Sequence, residues 1–222
     1  MIFYKSQEKK KIIKHSLITE RDVSILNFIN NFGFCELTQV MKQFSVQESN
    51  AYKLMKRLMG KDLLIHDRIF HGQKGIYRLT NDGASFTDLP ALEKVPIHQY
   101  RHQLTIIEVY IQLSKQYPDV YWLSERFLIK DQTQQDIKEK KHVADGLLIF
   151  PDGRQIAIEV ELNLKSKKRL AQIFKSYGSQ FLIDEVWYFC PSHLVSTLKQ
   201  LAEKRPFIKI RSLSELNEQF IR

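Results

Sequence analysis

Three carboxylates in the second half of the chain have the types and spacing to do chemistry. Asp145 opens the run Asp145-Gly146-Leu147-Leu148-Ile149-Phe150, and Glu159 and Glu161 lie in Ile156-Ala157-Ile158-Glu159-Val160-Glu161. If both runs are strands, alternation sends Glu159 and Glu161 to one face and Ile158 and Val160 to the other. Acidic residues form strands poorly and two on one face repel each other, which a bound cation would relieve. A Pro151-Asp152-Gly153 turn joins the runs, so Asp145 can reach the same end of the sheet. Three converging carboxylates suit Mg²⁺ or Mn²⁺. Such an ion would polarise a phosphodiester and lower the pKa of an attacking water. The alternative is a solvent-facing strand whose glutamates pair with nearby lysines.

The elements that must position these carboxylates form a mixed α/β pattern. A helix over 97–116 carries Leu104, Ile107 and Ile111 on one stripe. Strands are predicted at 120–129, 144–150 and 155–162. A basic helix near 165–177 follows, with Leu170, Ile173, Phe174 and Tyr177 facing inward and Lys167, Lys168 and Lys175 left for phosphates. A strand at 186–190, a helix at 192–204, a strand at 207–211 and a short helix complete the chain. The polar stretch 130–141 reads as a mobile loop.

The first half reads differently. Thr19 is an N-cap with Asp22 three residues on, and Ile25, Phe28 and Phe32 recur at helical spacing before a stop at Gly33. Leu37, Val40, Met41 and Phe44 mark a second helix. Ala51, Leu54, Met55 and Leu58 mark a third, ended by Gly60 and Asp62. Leu63-Leu64-Ile65, Arg68-Ile69-Phe70, a Gly72-Gln73-Lys74-Gly75 turn and Ile76-Tyr77-Arg78-Leu79 make a β-hairpin. Three helices closed by a hairpin is the order of a winged helix-turn-helix. The third helix would then turn Ser49, Asn50, Lys53, Lys56 and Arg57 outward, with Tyr52 beside them, and these residue types contact phosphates and base edges. The hairpin tip, with His71, Gln73 and Lys74, would reach an adjacent groove or backbone. The alternative is a solvated helix face with ordinary lysines.

The chain has 222 residues and a formal charge of +9, which makes a polyanion the first partner to test. Fourteen basic and nine acidic residues precede Pro90, and twenty and sixteen follow it, so both halves share the excess. The expected organisation is a basic arm over 1–15, a winged-helix domain over 16–90, a Pro-bounded linker over 91–96 and an α/β domain over 97–222, an α+β chain. No apolar run approaches the roughly 20 residues of a membrane span, and the N-terminus lacks a secretory core. Two distant cysteines, Cys35 and Cys190, fit no disulfide framework or zinc spacing, so a cytoplasmic location with reduced thiols is expected. There is no Gly-rich phosphate loop, Gly-x-Ser-x-Gly elbow or His-Glu-x-x-His. His98 and His102, four apart, read as surface or linker packing rather than zinc ligands, and no covalent nucleophile stands out.

Helix, three strands, helix, strand, with Asp before the second strand and Glu in the third, resembles the restriction-endonuclease-like PD-(D/E)xK nucleases. That resemblance gives Asp145 and Glu159 the first two motif positions and sets Glu161 where lysine is usual. Lys165 or Lys167 would supply the missing cation. Glu108, beside Ile107, would add a metal-shell carboxylate from the first helix, or else be a rim glutamate paired with Arg101 or a lysine. The start Leu17-Ile18-Thr19-Glu20-Arg21-Asp22, His102-x-Leu104 leading to Glu108, Trp122-Leu123-Ser124-Glu125, Asp145-Gly146 and Glu159-Val160-Glu161-Leu162 further resemble the replication-relaxation family, over residues 17–212. That family of plasmid and mobile-element proteins includes mobilisation relaxases of the MobC class. The resemblance implies a winged helix fused to a nuclease-like domain, binding at a plasmid origin of transfer or replication, and metal-dependent nicking of one strand. It also implies partners among relaxosome or coupling proteins. The competing expectation is a DNA-binding accessory protein or repressor whose nuclease-like domain is inert.

Overall fold

The computed structural model describes residues 18–134 and 142–218, and the expected basic arm over 1–15 lies outside them. The chain is α+β and divides into two compact units, Met1–Ile97 and His98–Arg222.

In the first unit α1 spans Glu20–Phe32. Thr19 and Asp22 cap it reciprocally: the Asp22 N–H donates to Thr19 Oγ1 at 3.2 Å and the Thr19 N–H to Asp22 Oδ2 at 3.0 Å. Gly33 ends the helix at φ 83°, a conformation cheap only for glycine. A short strand that the sequence pattern did not reveal, β1 (Cys35–Glu36), leads into α2 (Leu37–Phe44) and α3 (Glu48–Gly60). Strands β2 (Leu64–Asp67) and β3 (Ile76–Leu79) follow, and the antiparallel sheet order is β1-β3-β2. Arg68, Ile69 and Phe70, expected in the hairpin, fall outside both strands. Ile25, Leu26 and Ile29 of α1, Val40 of α2, Ala51, Met55 and Leu58 of α3, and Ile76 and Leu79 of β3 are buried to form the core. After a turn of helix, α4 (Asn81–Ala84), Asn30 Nδ2 donates to Thr87 Oγ1 and the Leu89 carbonyl at 2.7 and 2.6 Å. Arg78 Nη1 donates to the Leu92 carbonyl at 3.2 Å, and Val95 is buried.

In the second unit α5 (Tyr100–Gln116) precedes a five-stranded mixed sheet of order β4-β5-β6-β7-β8. Its strands are β4 (Tyr121–Ser124), β5 (Gly146–Ile149), β6 (Gln155–Val160), β7 (Glu185–Cys190) and β8 (Ile208–Ser212). The first three are antiparallel neighbours, while β7 and β8 run parallel to β6. Parallel neighbours need crossovers, and helices α7 (Lys167–Gly178) and α8 (Ser192–Ala202) supply them. Leu147, Ala157 and Tyr188 of the sheet pack with Leu170, Ile173, Phe174 and Tyr177 of α7 and Leu198 of α8 in one core. Helix α5 lies against β6.

The second unit corrects several expected bounds. The strand over 120–129 stops at Ser124, and α6 (Glu125–Gln134) takes over. Ser124 Oγ accepts the Phe127 N–H at 3.3 Å, the side-chain cap that lets a helix start there. Residues 130–134 of the expected mobile loop are therefore helical, and its remainder, 135–141, lies outside the described residues. Glu161 is one residue past β6, although its N–H still reaches the Phe189 carbonyl at 2.9 Å. Lys165 precedes α7, whose N-cap is Ser166. The chain ends in α9 (Leu213–Glu218). Among the described residues no helix is long and apolar enough to cross a membrane.

Candidate functional site

Asp145 just before β5, Glu159 near the end of β6 and Glu161 just past it stand at one end of the sheet, and Glu159 meets α7 through Tyr177. They are not solvent-facing: they are 9%, 2% and 1% exposed. Burying a carboxylate without a partner is costly, so each should end on a donor. Each does. Asp145 Oδ2 accepts the Val160 N–H at 2.7 Å and lies 3.3 Å from His102 Nε2. The same His102 nitrogen is 2.9 Å from the Val160 carbonyl. Glu159 Oε1 accepts from His142 Nε2 at 2.6 Å and from the Tyr177 hydroxyl. Glu161 Oε1 accepts the Lys165 N–H at 2.7 Å, and its other oxygen pairs with the Lys165 ammonium.

The electrostatics follow from that pairing. Burial pulls His102 down, but the hydrogen bond to Asp145 and the charge behind it outweigh burial and lift the imidazole to about 9. His142 is opposed by burial in the same way and raised by Glu159. Burial raises Glu159 itself. Glu125, at the start of α6, is pushed up to about 7 by burial and then by the Asp145 charge. Burial and the Glu159 charge hold the Tyr177 hydroxyl well above its usual range. Tyr188, opposite Glu159 in the β6–β7 register, is also raised by burial and by the fields of Glu159, Glu161 and Asp145. Its hydroxyl is buried without a hydrogen-bond partner.

The sequence pattern missed five members of this cluster. His102, expected at the surface, pairs with Asp145 from α5. His142 stands three residues before Asp145, just past the polar stretch 130–141. Glu125 falls within the strand expected over 120–129, Tyr177 lies on the apolar stripe of its helix, and Tyr188 is one of several aromatics in an apolar strand. Glu108 stands on α5 as well. It is six residues from His102, about 600° around an α-helix, so the two leave α5 on different sides. Lys167 is exposed on α7.

This donor set does not fit a divalent ion as arranged. Four of the six carboxylate oxygens already have donors: Asp145 Oδ2 the Val160 N–H, Glu159 Oε1 His142 and Tyr177, and the two Glu161 oxygens the Lys165 N–H and ammonium. Among the described residues, no group of three or more His, Cys, Asp or Glu is disposed to hold a metal.

The expected DNA face lies in the first unit. On α3, Ala51, Met55 and Leu58 are buried while Ser49, Asn50, Tyr52, Lys53 and Lys56 are exposed, Tyr52 at 54%. Arg57 is different: Nη1 donates to Asp22 Oδ2 at 3.0 Å and Nη2 to the other oxygen, so its fork locks α3 onto the cap of α1. His71 and Lys74 are exposed between β2 and β3. On α7, Leu170, Ile173, Phe174 and Tyr177 are buried while Lys167, Lys168 and Lys175 are exposed.

No protein-family model matches the chain, and no curated protein does. One solved structure is similar over part of its length, that described as "Structure of TrmBL2, an archaeal chromatin protein, shows a novel mode of DNA binding". Identity is 12%, the match covers 76% of this chain and 62% of that one, and the TM-score is 0.22.

Proposed function

We propose that this chain is a DNA-binding protein whose first unit acts as a winged helix, with α3 as the groove-facing element. The observation that carries the reading is the division of α3. Its apolar side is sealed into the core, while its outer side offers two amide or hydroxyl side chains, a tyrosine and two lysines. Lysines hold phosphates and amides read base edges, so this combination suits a duplex rather than a compact anion. The exposed lysines of α7 offer a second set of phosphate contacts. Origin DNA of a plasmid or mobile element is the target to test first, with relaxosome or coupling proteins as partners. The test is fluorescence anisotropy with duplex DNA over a salt series, in EDTA. Lys53→Ala with Lys56→Ala should weaken binding and flatten log affinity against log salt by about 1.8, at about 0.9 per lost phosphate contact. Unchanged affinity and slope would remove α3 from the interface.

A second reading, metal-dependent nicking of one strand, is favoured by the concentration of buried carboxyl groups at one end of a sheet. The pairing of those groups by internal donors favours the non-catalytic reading instead. Incubating supercoiled plasmid that carries the candidate origin with Mg²⁺, Mn²⁺ or EDTA separates the two. The DNA-binding reading expects the plasmid to stay supercoiled in all three.

A further inference from the structure

We infer that His102, His142 and Lys165 are built-in counter-cations of the Asp145–Glu159–Glu161 cluster, standing where a bound metal ion would otherwise neutralise it. The pairing is one to one: His102 on Asp145, His142 on Glu159, Lys165 on Glu161. The three cations come from separate places, α5, the segment before β5 and the segment before α7. They are 30%, 22% and 33% exposed on their side chains, against 11%, 3% and 0% for the carboxylates they cover. Each positive head therefore sits nearer solvent than the carboxylate it covers.

Charge balance gives the arrangement its consequence. With both imidazoles protonated, three carboxylates and three cations sum to zero without a metal. A divalent ion entering this end of the sheet would then leave two buried positive charges in excess, and would have to compete for Asp145 Oδ2, Glu159 Oε1 and both Glu161 oxygens, which already accept from internal donors. Glu125, the fourth acid acting here, is pushed up to about 7 by burial and then by the Asp145 charge, which reduces the charge it adds. The converse also holds. Deleting the two imidazoles leaves an excess of buried negative charge built from hard oxygens, which is what Mg²⁺ and Mn²⁺ bind. The inference does not rest on DNA binding, because the α3 lysines belong to the other unit and are assayed in EDTA.

The experiment uses the full chain and Mn²⁺ alone, without DNA, followed by thermal melting and by the electron spin resonance signal of free Mn²⁺. Wild type should melt at the same temperature in millimolar Mn²⁺ and in EDTA and take up no ion. His102→Ala with His142→Ala should melt lower in EDTA and bind Mn²⁺. It should regain about 5–10 °C when Mn²⁺ is in hundredfold excess over its Kd. His102→Gln with His142→Gln removes the charge at similar volume and should behave alike if the alanine variant does not fold. A variant that folds only when Mn²⁺ is added supports the inference. Wild type that takes up Mn²⁺ with a rise in melting temperature overturns it. So do variants, folded or unfolded, that gain nothing from Mn²⁺.

Discussion

Replacing Arg57 by methionine should unlock the first unit rather than merely weaken DNA binding. Asp22 is completely buried and accepts from the Thr19 N–H and from two nitrogens of Arg57. Burial alone would raise its pKa, but the Arg57 hydrogen bonds and the Thr19 contacts hold it below the usual carboxylate range. Without Arg57 the carboxylate keeps only its cap. Breaking a buried ion pair costs about 3–5 kcal/mol, and the side chain of Arg57 is 41% exposed, so about 2–3 kcal/mol is the appropriate figure here. Both tryptophans, Trp122 and Trp187, belong to the second unit, so fluorescence would not report this loss. Amide hydrogen exchange does. In Arg57→Met, amides of α1 and α3 should exchange about 30- to 150-fold faster, the ratio that 2–3 kcal/mol implies when closing is faster than chemical exchange. Second-unit amides should be unchanged. A cycle with Asp22→Asn should return a coupling of the same sign, with the double variant less destabilised than the sum of the singles. Exchange in Arg57→Met within threefold of wild type would refute the reasoning and return Arg57 to the candidate DNA contacts.

Three further outcomes follow from the second unit and the turn regions. His102 is raised from 6.5 to about 9 and Glu125 from 4.5 to about 7, so each lends stability that is full below its unfolded pKa and lost as pH rises through its folded value. Second-unit stability should therefore fall between pH 4.5 and 9, and Asp145→Asn should remove the upper part of that fall; a flat profile in wild-type urea melts would contradict it. A Cβ at position 146 would overlap the Trp122 ring, so Gly146→Ala should shift tryptophan emission and destabilise the second unit by about 1–3 kcal/mol. Unchanged emission would show that the indole does not cover that glycine. A Cβ at position 83 would run into the Leu63 carbonyl, which is backbone and cannot rotate away, so Gly83→Ala should lower the folded fraction of the first unit, read by exchange of β2 and β3 amides.

The α+β architecture was legible wherever a local rule governed the chain. Thr19, Asp22 and Gly33 bound α1 because caps are made by residues within one turn of each other. Ala51, Met55 and Leu58 point inward because helical periodicity alone puts them on one side. Leu170, Ile173, Phe174 and Tyr177 do the same on α7. Strand alternation likewise sets Glu159 apart from its neighbours Ile158 and Val160 in β6, and the sequence carries that much unaided. What surrounds those carboxylates was decided by tertiary structure. Whether an acidic strand face meets water, a metal or an imidazole depends on which distant segments pack over it. His102 reaches Asp145 across 43 positions and His142 reaches Glu159 across 17, with no periodicity linking them. Arg57 carried the same ambiguity, since a basic residue near an exposed helix face looks alike from sequence whether it awaits a phosphate or holds Asp22. Local pattern sets where side chains point. Only the fold sets what they meet, because partner choice for a buried charge is made by the chain packed against it.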